Sequence, residues 1–79
     1  MAERHVDPLV VAATLDAAAK MLRPERMLSY QARPKHFSIS EWAQRVTTNR
    51  AMHNAATRLS NKARDIRYAA LDKEEAERG

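Results

Sequence analysis

Cysteine is absent from this 79-residue sequence, and the single glycine is Gly79. Without cysteine, the chain forms no disulfide framework and offers no thiolate ligand to a metal. A lone terminal glycine also excludes the glycine-rich loops that cradle phosphate groups. No stretch approaches the ~20 consecutive apolar residues of a membrane span, and no signal-peptide pattern is present. We therefore expect a cytoplasmic protein with no membrane partner.

The residues that support catalysis or metal binding are scattered. His5, His36 and His53 lie at spacings that form no ligand cluster, and no carboxylate pair accompanies them within one helical turn. No serine has a turn around it that would support a nucleophile. The sequence predicts neither an enzyme nor a metal site, and it indicates no cofactor.

The chain has little material for a large core. Of its residues 44% are hydrophobic, but many of these are alanine and only 5% are aromatic. A chain of this length buries only about 60% of the surface that it exposes when unfolded. We expect one small domain over residues 1–79, either marginally stable as a monomer or stabilised by a second chain or a partner. A homodimer is one such arrangement.

The net charge of +4 is unevenly distributed. Residues 23–67 contain ten basic and three acidic side chains, a local net charge of +7. Residues 1–22 sum to −1 and residues 68–79 to −2. Because the positive field belongs to the middle of the chain, the partner that it favours is a polyanion or an acidic protein surface.

Start and stop signals predict the first helix. Asp7 is a suitable N-cap and Pro8 a suitable first helical residue. The helix should end near Leu22, because a residue that precedes a proline, here Arg23, is disfavoured in the α region. Residues 1–6 should form a loose N-terminus and residues 72–79 a frayed acidic tail. Between the helices, residues 24–31 fit either a short helix or an irregular connection.

A second helix start is signalled more strongly. Ser38 and Glu41 have the spacing of a capping box, and Phe37 and Trp42 have the spacing of a hydrophobic staple. The apolar stripe that follows, from Ile39 to Val46, is out of phase with the next one. That second stripe has steps of four and three and consists of Met52, Ala56, Leu59, Ala63, Ile66 and Ala70.

The phase change falls at residues 47–49, and it favours a tight turn there over the alternative, one continuous helix. The fold class that we predict is all-α, a small three- to four-helix bundle with a long C-terminal helix and the outline of a helix-turn-helix protein. We expect it to pack through Val11, Leu15, Leu22, Ile39, Trp42, Val46, Leu59 and Ile66. Trp42 should matter most, since truncating a buried tryptophan costs ~3–5 kcal/mol.

The polar side of the long helix carries the functional prediction. Its side chains suit DNA, because Arg and Lys bond guanine or phosphate, Asn bonds adenine, and Thr contacts phosphate or the thymine methyl. The preceding loop adds two basic residues along the phosphates. The predicted nucleic-acid-binding residues are Arg50, Asn54, Thr57, Arg58, Asn61, Lys62, Arg64, Arg33 and Lys35.

The function predicted from this set is regulatory or architectural binding of double-stranded DNA, with a dimer sharing the task. The alternative is a non-enzymatic interaction module, such as an adaptor, inhibitor or assembly subunit, whose basic face binds an acidic partner. An ordinary solvated helix face would use the same residue types, so the pattern does not by itself distinguish these roles.

Overall fold

Two α-helices joined by a loop make up the described part of the chain. A computed structural model describes residues 6–78, in which α1 spans Pro8–Leu22 and α2 spans Ile39–Arg78, with a single 3-10 turn at Leu28–Tyr30 between them. The predicted all-α class is confirmed, whereas a three- to four-helix bundle is not. His5 and residues 1–5 of the predicted loose N-terminus lie outside the described residues.

Helix α1 begins and ends where the sequence predicts. An Oδ1 atom of Asp7 accepts a hydrogen bond of 2.9 Å from the backbone N–H of Leu9, and Pro8 occupies the first helical position. At the other end Arg23 is extended, with φ −68° and ψ 121°, directly before Pro24. The proline therefore ends α1 and turns the chain toward α2.

The capping box and the staple at the start of α2 are also confirmed. The Ser38 Oγ accepts a hydrogen bond of 3.1 Å from the Glu41 backbone N–H, and the Ser38 N–H donates to the Glu41 carboxylate at 3.4 Å. The rings of Phe37 and Trp42 pack with their centroids 5.7 Å apart. These contacts set the angle at which the loop enters α2.

The prediction of a turn at residues 47–49 is wrong, and with it the helix-turn-helix outline. Helix α2 runs through these residues without interruption for 40 residues in all. Thr and Asn each lower helix propensity by only a few tenths of a kcal/mol, and no glycine or proline lies within α2 to break it. The phase change instead marks where the covering partner changes, from the loop before α2 to α1.

Helices α1 and α2 are antiparallel. Asp16 contacts Arg67. Arg23, seven residues after Asp16, contacts Ser60, seven residues before Arg67, so the two chain directions are opposite. Alanines line the contact, and Ala12, Ala19, Ala56 and Ala63 are buried. Because a methyl side chain takes little space, the two helix backbones can approach closely along this line.

The predicted core needs correction. Ile39 is 75% exposed, and no large side chain of residues 6–78 is fully buried. The other predicted core residues are half-buried: Val11, Leu15, Leu22, Trp42, Val46, Leu59 and Ile66. The physical reason is that two helices form a single layer, in a molecule whose extents are 62 × 31 × 14 Å, and one layer cannot enclose a large side chain.

The acidic segment 72–78 is helical and exposed, and its fraying stays a prediction. Neither α1 nor α2 combines the length and the hydropathy needed to cross a bilayer.

Candidate nucleic-acid interface

The contact with α1 determines which way each residue of α2 points. Asn49, Ala56 and Ala63 are seven residues apart, are all buried, and so define the side of α2 that faces α1 and the preceding loop. Each residue advances the helix by about 100°, so Asn54 and Asn61 lie within about 30° of the opposite direction. We call the predicted residues on α2 from Arg50 to Arg64 the outer face.

The outer face is largely open to solvent. Arg50, Asn54, Arg58, Asn61, Lys62 and Arg64 are exposed, and only Thr57 is half-buried, at the edge nearer α1. Along the helix axis the stretch from Arg50 to Arg64 is about 21 Å long. The structure therefore brings most of the predicted residues of α2 together on one open surface, whereas Thr57 and Arg64, each one residue after a buried alanine, lie on its flank.

The two predicted loop residues are not part of that surface. Arg33 donates a hydrogen bond of 2.5 Å from its guanidinium to the backbone carbonyl of Phe37, which ties it to the loop just before α2. That point lies about 18 Å along the axis from Arg50, at 1.5 Å per residue. Lys35 is exposed in the same loop. Arg33 and Lys35 thus extend the basic region beyond one end of the outer face.

Few of the charges on the outer face are neutralised within residues 6–78. The Arg64 guanidinium lies 3.5 Å from the Asp65 carboxylate, but both side chains are more than half exposed, so water screens this pair. Arg50, Arg58 and Lys62 form no ion pair with any described residue. Their charges are therefore available to an external anion.

By contrast, the polar side chains beside the helix contact serve the fold. The Arg67 guanidinium is bonded to the Asp16 carboxylate, both partly buried, and an Arg23 nitrogen lies 3.5 Å from the Ser60 hydroxyl oxygen. Both contacts lie on the same edge of the α1–α2 contact. On the other edge the side chains are apolar, among them Leu15, Leu22, Leu59 and Ile66.

Asn49 is the structural residue that sequence reasoning assigned to a turn. It is 9% exposed, its Oδ1 accepts from the Leu28 N–H at 3.0 Å, and its Nδ2 donates to the Arg26 carbonyl at 2.8 Å. A single amide side chain thus satisfies two backbone groups of the loop. No local signal could have found it, since its partners are more than twenty residues away.

A shallow groove of about 490 Å³ lies between the loop and the first turns of α2. Leu28, Phe37 and Met52 form its apolar wall, and the Arg45 guanidinium carbon sits 4.4 Å from the centre of the Phe37 ring. That position is typical of a cation–π contact, which here stabilises the loop. Among residues 6–78 no group of three or more His, Asp or Glu side chains is placed to hold a metal ion.

Comparison with known proteins finds no matching family, no similar curated protein and no similar solved structure.

Proposed function

We propose that this chain is a small basic DNA-binding protein, regulatory or architectural, that contacts DNA with the outer face of α2. The observation that supports it is the shared direction of Arg50, Asn54, Arg58, Asn61 and Lys62, all exposed and all turned away from α1. On this face, amides that can bond base edges alternate with cations that can bond phosphates.

The dimensions are compatible with a groove. An α-helix with its side chains is about 10–12 Å wide, and the major groove of B-DNA is about 12 Å wide. Because α1 covers the opposite side of α2, it does not obstruct entry of the outer face. The binding mode differs from a helix-turn-helix, since no preceding helix crosses the DNA backbone. Orientation would come from Arg and Lys contacts to phosphates on either side of the groove.

Anisotropy of a labelled duplex, titrated with protein at about 50 and about 200 mM salt against excess random duplex, tests the proposal. Specific binding that survives the competitor supports it. The double variant Arg58→Glu/Lys62→Glu should then lose at least about tenfold in affinity, and the salt slope should fall by about two. Absence of binding at the lower salt would refute DNA binding.

A matched control distinguishes direct contact between the outer face and DNA from the effect of the overall charge of the protein. Lys20→Glu/Lys73→Glu makes the same change in net charge at two exposed positions outside the outer face. We expect it to weaken binding several-fold less than the outer-face variant. Equal losses for the two double variants would contradict an interface at the outer face and would leave only attraction of a polyanion to a basic protein.

The second candidate is an interaction module that presents the same basic face to an acidic protein. The observation that favours it is Tyr30, which is 87% exposed in the loop, close to the half-buried Met27 and Leu28. An aromatic anchor of this kind is typical of protein interfaces. In that case Tyr30→Ser should weaken partner binding more than the Arg58→Glu/Lys62→Glu variant does.

A further inference from the structure

Helix α1 is apolar around nearly its whole circumference, yet α2 covers only one side of it. Its two charged residues, Asp16 and Lys20, lie toward the same edge of the helix contact. On the uncovered side Val10 is 58% exposed and Met21 is 87% exposed. A helix that is hydrophobic all round is normally buried, but no residue of 6–78 covers this side of α1.

The uncovered side forms a continuous strip. Val10, Thr14, Ala17 and Met21 follow one another at steps of four, three and four, almost directly opposite the buried Ala12 and Ala19. Val11 and Ala18 border them. We call these six residues the α1 strip.

The α1 strip presents no side-chain polar group that needs water. Its one polar side chain is Thr14, whose hydroxyl donates a hydrogen bond of 2.9 Å to the Val10 carbonyl in the preceding turn. The threonine therefore offers mainly its methyl group to a partner. Covering the strip would leave no unsatisfied side-chain donor, which removes the usual penalty for burying a polar residue.

The chain exposes more area than a compact monomer of its mass. A compact monomer of 9.0 kDa exposes about 4,900 Å². This chain exposes 6841 Å². Helix α2 has 40 residues and α1 has 15, so part of this difference belongs to the ends of α2 beyond α1 and part to the uncovered side of α1. A second copy on the α1 strip would cover the latter part.

We infer that the α1 strip is the interface of a homodimer, in which the α1 helices of two copies pack antiparallel about a two-fold axis. Its side-chain sizes are compatible with self-pairing. The larger Val10 and Met21 lie near the two ends, and the smaller Thr14 and Ala17 lie between them. A two-fold axis near residues 15 and 16 brings Val10 of one copy against Met21 of the other, with the small residues facing each other.

Charge favours the α1 strip over the basic surfaces of the molecule as the place where a second copy binds. Two chains of net charge +4 repel each other wherever their basic surfaces meet. The α1 strip is uncharged and lies on the side of the molecule away from the outer face of α2. Two copies that pair through it keep their basic faces apart. This inference is independent of what the outer face binds.

Sedimentation of the full chain over a micromolar concentration series tests the dimer. Met21→Glu should weaken dimerisation by at least about tenfold, because it places a charge inside an apolar contact. Ile39→Glu is the matched control, since Ile39 is also a largely exposed apolar residue, at 75%, but lies outside the α1 strip. The wild type and the control should sediment as dimers. A monomeric wild type, or a dimer that Met21→Glu leaves intact, would overturn the inference.

Mixing two variants tests the antiparallel arrangement directly. Val10→Lys and Met21→Glu should each be monomeric alone, with circular dichroism reporting that both remain helical. In an equimolar mixture the new lysine faces the new glutamate, and the second Val10–Met21 contact stays native, so a heterodimer should form. A mixture that stays monomeric would overturn the proposed register, and the Met21→Glu result alone would still report on the interface.

Discussion

The two helices of this protein reach the same conformation by opposite means. Helix α1 has two charged residues among 15 and depends on burial of its apolar surface. Helix α2 has fourteen charged residues among 40 and keeps most of its surface in water. Helix α1 has more apolar surface than α2 can cover, and α2 has more length than α1 can support. The contact between α1 and α2 therefore provides much of the stability of both helices.

That contact depends on the smallness of its central residues. A substitution that enlarges one of them should therefore have the largest effect on the stability of the contact between α1 and α2. Ala63 is fully buried against α1. Ala63→Leu should destabilise the folded state by about 3 kcal/mol, since the contact between the two helices has no space for three further carbons. Urea denaturation followed by circular dichroism measures the loss.

The control for Ala63 is Ala69→Leu, at an exposed position of α2. Leucine has nearly the helix propensity of alanine, so this variant should unfold within about 0.5 kcal/mol of the wild type. Equal effects at the two sites would mean that the alanine line does not hold the helices together.

Asn49 joins the loop to α2. Removal of the Asn49 side chain should have the next largest effect on stability. Asn49→Ala leaves the Leu28 N–H and the Arg26 carbonyl without their partner, which costs about 2 kcal/mol. Hydrogen exchange should show the Leu28 amide losing its protection, while the amides of α1 change less. Asn54→Ala, exposed on the same helix, is the control, and a comparable loss there would contradict the role of Asn49.

Trp42 should have the smallest effect of the three. The sequence alone predicts that truncation of Trp42 costs ~3–5 kcal/mol of stability, the value for a buried tryptophan. In the structure it is half-buried against Phe37 at the start of α2, beyond the reach of α1. We expect Trp42→Ala to cost about 1–2 kcal/mol, measured by thermal denaturation. A loss above that of Ala63→Leu would mean that the first turns of α2 are more important than the alanine contact.

The correct sequence predictions concern local chemistry. The Asp7 cap with Pro8, and the Ser38–Glu41 capping box with its Phe37–Trp42 staple, involve residues within five positions of each other. Interactions of that range can be identified from spacing alone. The outward direction of the amides on α2 follows in the same way from helical periodicity.

The failures concern contacts between distant residues. The helix-turn-helix outline rested on the phase change at residues 47–49, where the structure has a continuous helix in which Asn49 is bonded to Arg26 and Leu28 of the loop. The core prediction failed because apolar spacing identifies a stripe but not whether a second layer covers it. The exposed surface at Val10 and Met21 was likewise not predicted. Neither residue is distinctive in the sequence until α1 is seen to pack, among residues 6–78, against α2 alone.

One consequence of the arrangement concerns valency. The outer face of α2 and the α1 strip lie on opposite sides of the same thin molecule. A pair of chains joined through α1 therefore directs its two basic faces away from each other, so they cannot share adjacent half-sites of one straight duplex. Such a pair would be a divalent linker, suited to joining two separate stretches of polyanion.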